Sequence, residues 1–250
     1  MQPDEELRRE LAVCLLPLLD LTSLNDDDTN ARIDALCLRA RACAIRPAAV
    51  CVHPAHVATA RRALVGTPVK IASVVNFPDG GTDAARAALE TRQAIAAGAD
   101  EIDMVLPWAA FIAGDVARAR AVVDAVRTAC GTRHTLKLIL ETGELATPEC
   151  IRAAAQLGID AGVDFLKTST GKVAVNATPQ AAAIMLDVIA ANRGRCGFKA
   201  AGGIRSLDAA VEYLDLARAR LGDEWITPEQ FRIGASALFD QLAALVAAPR

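Results

Sequence analysis

Short runs of apolar and β-branched residues alternate along the chain with longer alanine-rich stretches, at intervals of roughly 30 residues. This alternation is typical of consecutive β-α units built around a parallel sheet. An extra helix over about residues 5–16 is expected before the first strand. Eight units on one parallel sheet predict an α/β fold that closes into a (β/α)8 TIM barrel. The predicted strands are residues 18–21, 48–52, 70–75, 101–106, 136–141, 165–168, 197–200 and 231–234.

Three Thr-Pro pairs mark positions where helices are expected to begin. A threonine hydroxyl can cap a helix N-terminus, and proline is favoured at the first helical position. The pairs at 147–148 and 178–179 are predicted to open the helices after strands five and six. The pair at 227–228 is predicted to open only a short turn before the last strand. No Pro/Gly/Ser-rich linker divides the chain, so residues 1–250 are expected to form one TIM-barrel domain.

Composition narrows the classes of partner. The 250 residues are 53% hydrophobic, which is enough for one large core. Lys and Arg number 27 against 30 Asp and Glu, without a run of like charges, so neither nucleic acid nor a membrane is indicated as a partner. The first ten residues are MQPDEELRRE, and no apolar stretch of about 18 residues follows. We therefore expect no signal peptide and a cytoplasmic location.

The cysteines and histidines do not form a metal-binding pattern. Seven cysteines without a CxxC motif fit reduced thiols better than a disulfide framework or a zinc site. The three histidines are dispersed, and metal catalysis is therefore not expected. The residues in question are Cys14, Cys37, Cys43, Cys51, Cys130, Cys150, Cys196, His53, His56 and His134.

Residues 98–103 (GADEID) and 162–167 (GVDFLK) align position by position as helix end, turn and strand. Asp103 and Lys167 thus occupy equivalent positions on the fourth and sixth strands. Alternate strands of this fold supply side chains to the same interior layer, so a carboxylate and an ammonium should point into the barrel at one level. The alternative is a duplicated turn without chemistry.

Lysine is rare in this chain, since 22 of the 27 basic residues are arginine. Four of the five lysines nevertheless lie on strands five to seven or in the loop after strand six, near the expected active-site end of the barrel. Unlike arginine, lysine can lose its proton and attack a carbonyl. Lys137, Lys167 and Lys199 are spaced by one β-α unit each and should converge, with Asp103 and Asp20 at their strand ends as the available carboxylates. The alternative for any single strand lysine is an ion pair or a snorkelling side chain.

Several long segments resemble the deoxyribose-phosphate aldolase family. They include 19–26 (LDLTSLND), 165–172 (FLKTSTGK) and 197–205 (GFKAAGGIR). Shorter similar segments are 75–78 (VNFP), 101–103 (EID), 138–145 (LILETGEL) and 232–236 (RIGAS). The resemblance covers nearly the whole chain in order.

The resemblance implies a class I aldolase that reversibly cleaves 2-deoxyribose 5-phosphate into glyceraldehyde 3-phosphate and acetaldehyde, without metal or cofactor. Lys167 matches the lysine that forms the Schiff base, and Lys199 matches the second lysine that keeps it partly neutral. Asp103 matches the carboxylate of a proton relay that includes a bound water. Asp20 and Lys137 match supporting polar residues. A homodimer is also suggested.

Glycine-containing loops after strands six, seven and eight are candidates for binding the phosphate and the rest of the substrate, because this fold often cradles phosphate there. Turns also use glycine routinely, so each loop alone is weak support. The candidate binding residues are Thr168, Gly171, Lys172, Gly202, Gly203, Gly234 and Ser236.

The sequence departs from the family pattern at its end and in two loops. Better-known members end in a flexible tail with a terminal tyrosine that assists proton transfer, whereas this chain ends AAPR and its one tyrosine, Tyr213, is expected on helix seven. Ala200 and Ala237 stand where the family often has proline and serine, so one phosphate hydrogen bond is expected to be missing.

Cys51 is a candidate reactive thiol. The second strand is expected to end near the barrel mouth, where an unsaturated aldehyde formed by product dehydration could alkylate it. The alternative is an inert buried thiol.

Two further interpretations of the whole chain remain open. One is another Schiff-base barrel of the transaldolase type, acting on a larger ketose phosphate. The other is a catalytically silent barrel that binds sugar phosphate.

Overall fold

The computed structural model describes residues 3–247 and shows eight parallel strands that close into a barrel in chain order, with β1 paired to both β2 and β8. The predicted (β/α)8 architecture is confirmed. The strands are β1 Leu19–Ser23, β2 Ala49–Val52, β3 Lys70–Val75, β4 Glu101–Val105, β5 Thr135–Ile139, β6 Phe165–Lys167, β7 Gly197–Ala201 and β8 Phe231–Ala235.

Helices surround the barrel and connect its strands. The helices are α1 Pro3–Leu15, α2 Asn30–Ala42, α3 Val57–Ala63, α4 Ala84–Ala97, α5 Trp108–Ile112, α6 Val116–Cys130, α7 Thr142–Leu145, α8 Pro148–Asp160, α9 Pro179–Ala191, α10 Leu207–Leu221 and α11 Ala237–Ala247. Short 3-10 helices are Leu16–Leu18, Pro54–His56 and Asp223–Trp225. Tyr213 lies on α10, the helix after the seventh strand, as expected. The expectation about the chain end falls mainly on residues 248–250, outside the described residues.

The predicted helix starts agree with the structure. Thr147 caps α8 by accepting a hydrogen bond from the backbone N–H of Cys150 at 3.2 Å, and Thr178 caps α9 in the same way. Thr227 lies in a short turn, where its carbonyl accepts from the N–H of Phe231 at the start of β8. The helix expected before the first strand is α1.

Side chains alternate between the two faces of each strand. On β4, Ile102 and Met104 join the apolar layer between the barrel and its helices, whereas Glu101 and Asp103 face the interior. The interior wall from β2 and β3 is small and apolar. Its members are Ala49, Cys51, Ala72 and Val74. The remaining strands supply the polar side of the interior.

Within residues 3–247, the structure has no helix with both the length and the apolar character needed to cross a membrane.

Candidate active site

Seven acidic and basic side chains of the described residues meet inside the barrel, all nearly or fully buried. They comprise three carboxylates and four cations, so the set carries a net charge of +1 when every group is ionised. The members are Asp20 on β1, Glu101 and Asp103 on β4, Lys137 on β5, Lys167 on β6, Lys199 on β7 and Arg232 on β8. We call this set the interior network.

Asp103 is the centre of the interior network. Its Oδ2 accepts from Nζ of Lys167 at 2.9 Å and from Nζ of Lys199 at 2.7 Å. Its Oδ1 accepts from Nζ of Lys137 at 2.9 Å. Asp103 and Lys167 therefore meet inside the barrel, as the aligned segments predicted.

Strand register places the three lysines at two heights along the barrel axis. Lys167 pairs directly with Lys199 across β6 and β7, whereas Lys137 pairs with Phe165, two residues earlier on β6. The expected placement of Asp20 and Asp103 at strand ends is wrong, because Asp20 is the second residue of β1 and Asp103 the third of β4. Both carboxylates consequently lie inside the barrel and not at its rim.

Burial and neighbouring charge give the two paired lysines opposite pKa shifts. Burial in the barrel lowers the pKa of Lys167, and the Lys199 ammonium adds to this effect, although Asp103 opposes it. Burial would also lower the pKa of Lys199, but Asp103 and Asp20 outweigh it and hold this pKa above its ordinary value. Nζ of Lys199 lies 2.5 Å from Asp20 and 2.7 Å from Asp103. The carboxylates thus lie nearer to Lys199 than to Lys167.

Glu101 and Arg232 complete the interior network, and sequence reasoning missed both. Arg232 donates to Oδ1 of Asp20 at 2.6 Å and to Oε1 of Glu101 at 3.1 Å, while Glu101 also accepts from Lys137. The Phe165 ring lies 5.9 Å from Nζ of Lys137 and 5.7 Å from the Arg232 guanidinium carbon, close enough for cation–π attraction. The alternation of β8 could have revealed Arg232, because it shares a strand face with Gly234.

A cavity of about 510 Å³ opens at the carboxyl ends of the strands, and Lys167 lines it. Loops after β1, β6, β7 and β8 form its wall. Of the predicted binding residues, the wall includes Gly171, Lys172, Gly202, Gly203, Gly234 and Ser236. The structure therefore brings the lysine and the glycine loops to one cavity.

The cavity wall offers several groups suited to an anion. Gly202 and Gly203 have positive φ angles of 90° and 84°, which glycine adopts without strain. Ser236 immediately precedes α11, whose N-terminus carries unpaired backbone N–H groups. Arg205 also lines the cavity and forms no ion pair within the described part of the chain, although it was not among the predicted site residues. Lys172 binds Asp26 at 2.9 Å across the mouth.

Two predicted binding residues have other contacts. The hydroxyl of Thr168 is fully buried, donates to the carbonyl of Ala201 at 3.1 Å and accepts from its N–H at 3.0 Å. Thr168 therefore joins β6 to β7 and is not part of the cavity wall; its neighbour Thr170 lines the cavity instead. A Cβ at Gly234 would lie 3.1 Å from Cε of Lys199, so this glycine leaves room for the lysine.

Glu141 is a further buried group that sequence reasoning did not single out. It adopts a left-handed backbone conformation, with φ 57°, two residues beyond the end of β5. Its carboxylate accepts from both the N–H and the hydroxyl of Thr170, and the Thr170 oxygen in turn accepts from the N–H of Lys172 at 3.0 Å. Burial raises the pKa of Glu141. The residue thus holds the loop after β6 in place.

Cys51 lies inside the barrel and not at its mouth. Its side chain is fully buried in the apolar wall, with Sγ 4.0 Å from Asp103. Burial raises the pKa of the thiol, and the Asp103 carboxylate adds to this. Both features lower its reactivity as a thiolate.

The model of the DeoC/LacD family of aldolases matches residues 14–241. The chain belongs to this family. It is therefore an aldolase, an enzyme that cleaves carbon–carbon bonds, and the family and enzyme class predicted from the sequence are confirmed.

Solved structures extend the similarity of this aldolase over most of its length. A proposed deoxyribose-phosphate aldolase from Coccidioides immitis is 30% identical, with 92% of this chain and 86% of that chain covered and a TM-score of 0.81. A proposed deoxyribose-phosphate aldolase from Toxoplasma gondii is 26% identical, with coverage of 97% and 96% and a TM-score of 0.89. The tetrameric deoxyribose phosphate aldolase from Aeropyrum pernix, at 23% identity and a TM-score of 0.76 with coverage of 96% and 92%, shares the fold.

Proposed function

We propose that this aldolase reversibly cleaves 2-deoxyribose 5-phosphate into glyceraldehyde 3-phosphate and acetaldehyde through a Schiff base on Lys167. The observation that carries the proposal is the position of Lys167, a buried lysine with a lowered pKa that lines the cavity and contacts Asp103. The names of the Coccidioides and Toxoplasma relatives agree with this substrate.

The first stage is formation of the iminium. Neutral Nζ of Lys167 attacks the aldehyde carbon of the open-chain sugar, and loss of water from the carbinolamine leaves the iminium. A lysine with its ordinary pKa of about 10.4 is almost fully protonated at neutral pH and cannot attack. Burial beside Lys199 lowers the pKa of Lys167 and so increases the fraction of neutral amine that can attack.

The second stage is cleavage of the bond between carbons 2 and 3 of the sugar. A base removes the proton of the hydroxyl on carbon 3, the bond breaks, and the iminium accepts the electron pair to become an enamine. Glyceraldehyde 3-phosphate leaves. Protonation of the enamine and hydrolysis of the resulting iminium then release acetaldehyde and free Lys167.

We assign the proton transfers to Asp103, acting with Lys199. One oxygen of Asp103 contacts both lysines, so a proton can pass between them without rearrangement of the side chains. Asp20 holds Lys199 charged from the other side, and Lys137 holds the second oxygen of Asp103. These two residues position the carboxylate and the ammonium that act.

The loops after β6, β7 and β8 are proposed to bind the phosphate. Gly202, Gly203 and Ser236, with the N-terminus of α11, supply backbone and hydroxyl donors, and Arg205 supplies a positive charge. When the phosphate binds, the Lys172 ammonium would either break its ion pair with Asp26 or contact Asp26 and the phosphate together. Lys167 lies on the same cavity, so one sugar phosphate can reach both ends of the site.

A direct assay tests the proposed function. The purified protein is incubated with 2-deoxyribose 5-phosphate, and acetaldehyde and glyceraldehyde 3-phosphate are each measured with a coupled dehydrogenase. Equal amounts of the two products are expected. Turnover of a ketose phosphate without acetaldehyde would indicate an enzyme of the transaldolase type, and binding of sugar phosphate without turnover would indicate a silent barrel.

Replacement of Lys199 by leucine tests its effect on Lys167. Loss of the neighbouring ammonium removes a repulsion, so the pKa of Lys167 should rise and the acidic limb of the rate of Schiff-base formation should move to higher pH. The reaction at neutral pH should slow accordingly. The check is the rate of imine formation with acetaldehyde from pH 5 to 9, and an unmoved limb would assign Lys199 to the substrate or proton relay alone.

Replacement of Cys51 by alanine tests whether this thiol limits tolerance of aldehydes. Because Cys51 is buried and its pKa is raised, we expect the thiol to be alkylated slowly. Cys51→Ala should therefore retain more activity than the parent mainly after long exposure to the aldehyde. The measurement is residual activity after incubation in concentrated acetaldehyde. If Cys51→Ala and the parent lose activity at the same rate, Cys51 is not the site of damage.

The cytoplasmic location and the homodimer expected from the sequence stay predictions. The Aeropyrum relative is described as a tetramer, and sedimentation of this protein at several concentrations would establish its own assembly.

A further inference from the structure

The four cations of the interior network differ in how many carboxylates they contact. Lys137 contacts three, namely Glu101, Asp103 and, at 3.6 Å, Asp20. Lys199 and Arg232 contact two each. Lys167 contacts one, Asp103, among the described residues. The proton on Lys167 is therefore the least stabilised of the four.

The charge count of the network points to the same residue. Three carboxylates against four cations leave one positive charge in a nearly dry interior, which is costly. If Lys167 is neutral, three cations balance three carboxylates. Lys167 is also the member that lines the cavity, among the residues of the described chain, so its proton can leave to solvent.

We propose that Glu101 and Arg232 are positioning residues that set this balance, so that Lys167 is the one neutral member of the network. Arg232 donates hydrogen bonds to Asp20 and Glu101. These two carboxylates therefore stabilise the protonated lysines less than they would without Arg232. Glu101 in turn holds Lys137 and Arg232 charged. Neither residue lines the cavity, and both act through the groups above them. The inference rests on the proposed role of Lys167 as the nucleophile.

The ionisable groups of residues 3–247 that face Lys167 or the interior network enter this balance. β3 contributes the apolar Ala72 and Val74 to the interior. The remaining groups are Asp20 on β1, Cys51 on β2, Glu101 and Asp103 on β4, Lys137 on β5, Glu141 after β5, Lys199 on β7 and Arg232 on β8. Cys51 and Glu141 are unchanged in the Glu101 and Arg232 variants, so they do not account for a difference in the acidic limb between a variant and the parent.

Two variants of opposite charge separate an electrostatic role from a packing role. Glu101→Gln removes one negative charge and should move the acidic limb of kcat/KM to lower pH, because protonated Lys167 loses stabilisation. Arg232→Gln removes one positive charge and should move the same limb to higher pH. Each shift is expected to be about one pH unit, the scale of a single charge acting across a buried site. The double variant should return the limb close to that of the parent.

Controls distinguish the alternatives. Arg127→Gln removes an arginine paired with Asp164 at 2.7 Å outside the interior network and should leave the limb in place. Arg232→Lys keeps the charge and should also leave the limb in place, even if activity falls. If Arg232→Gln fails to fold, Glu101→Gln and the double variant still decide the matter, since breaking one side of a buried pair is more costly than removing both.

Each result supports or overturns the inference. Opposite shifts that cancel in the double variant support it, whereas unmoved limbs, or shifts in the same direction, overturn it. Borohydride trapping of acetaldehyde is run on every variant. If adduct forms on Lys167 but the limbs do not shift as described, the inference alone fails; if no adduct forms in the parent, the proposed nucleophile fails.

Discussion

Lys167→Arg is expected to abolish turnover while the barrel stays folded. A guanidinium beside Asp103 stays protonated at any ordinary pH and therefore cannot form the imine. We expect kcat to fall by about three orders of magnitude or more, the scale seen when a covalent nucleophile is removed. The measurement is kcat for release of acetaldehyde from 2-deoxyribose 5-phosphate.

The matched control for this variant is Lys70→Arg. Lys70 is an exposed lysine at the start of β3, remote from the cavity wall, so the same chemical change there should leave kcat unchanged. Circular dichroism and the melting temperature would show whether Lys167→Arg keeps its fold. A folded Lys167→Arg that retains a tenth of the parent activity would refute the role assigned to Lys167.

Removal of the substrate phosphate should produce the second large effect. Hydrogen bonds to charged groups each contribute roughly 1.5–3 kcal/mol, so several of them predict a preference of orders of magnitude for phosphorylated over plain deoxyribose. The comparison is kcat/KM for the two sugars. Equal values would contradict the assignment of the glycine loops to phosphate.

Arg205→Gln then tests which residue supplies the charge for that preference. The variant should lose about ten-fold or more in kcat/KM on the phosphorylated sugar, mainly through KM, because one charge-assisted contact is removed. Activity on plain deoxyribose should stay the same. Arg152→Gln is the control, since Arg152 is exposed on α8 and remote from the cavity wall. An equal loss on both sugars would indicate a structural role for Arg205.

The fold could be predicted from the chain because its local signals agree with one another. Every predicted strand corresponds to an observed one, with ends that differ by at most two residues. Thr147 and Thr178 cap helices as their Thr-Pro pairs indicated. Strand ends are harder to predict because the hydrogen bonds between strands stop where the loops diverge, and no local pattern specifies that point.

The candidate site could be predicted where residues of the same type recur at the same position of successive strands. Lys137, Lys167 and Lys199 are spaced by one β-α unit, and strand register does bring the last two side by side. Arg232 was missed because arginine supplies most of the basic residues of this chain, so a single arginine does not stand out as an interior group. Its alternation with Gly234 on β8 would have placed it inside.

Contacts that depend on three-dimensional closure of the barrel were beyond prediction. Glu101 and Arg232 are 131 residues apart and meet because β4 and β8 face each other across the interior. Thr168 was assigned to the substrate from its place in a motif, but its hydroxyl is used by the backbone of β7. A motif predicts roughly where in the fold a residue lies, whereas the hydrogen-bond partners of that residue depend on the packing around it.

The most direct test of the central claim is reductive trapping. The protein is mixed with acetaldehyde and borohydride, digested, and mapped by mass spectrometry, with Lys167→Arg treated in parallel. We expect one N-ethyl group, on Lys167, and loss of activity in step with its formation. An adduct on Lys199 or Lys137, or no adduct in active protein, would contradict the role of Lys167 as the nucleophile.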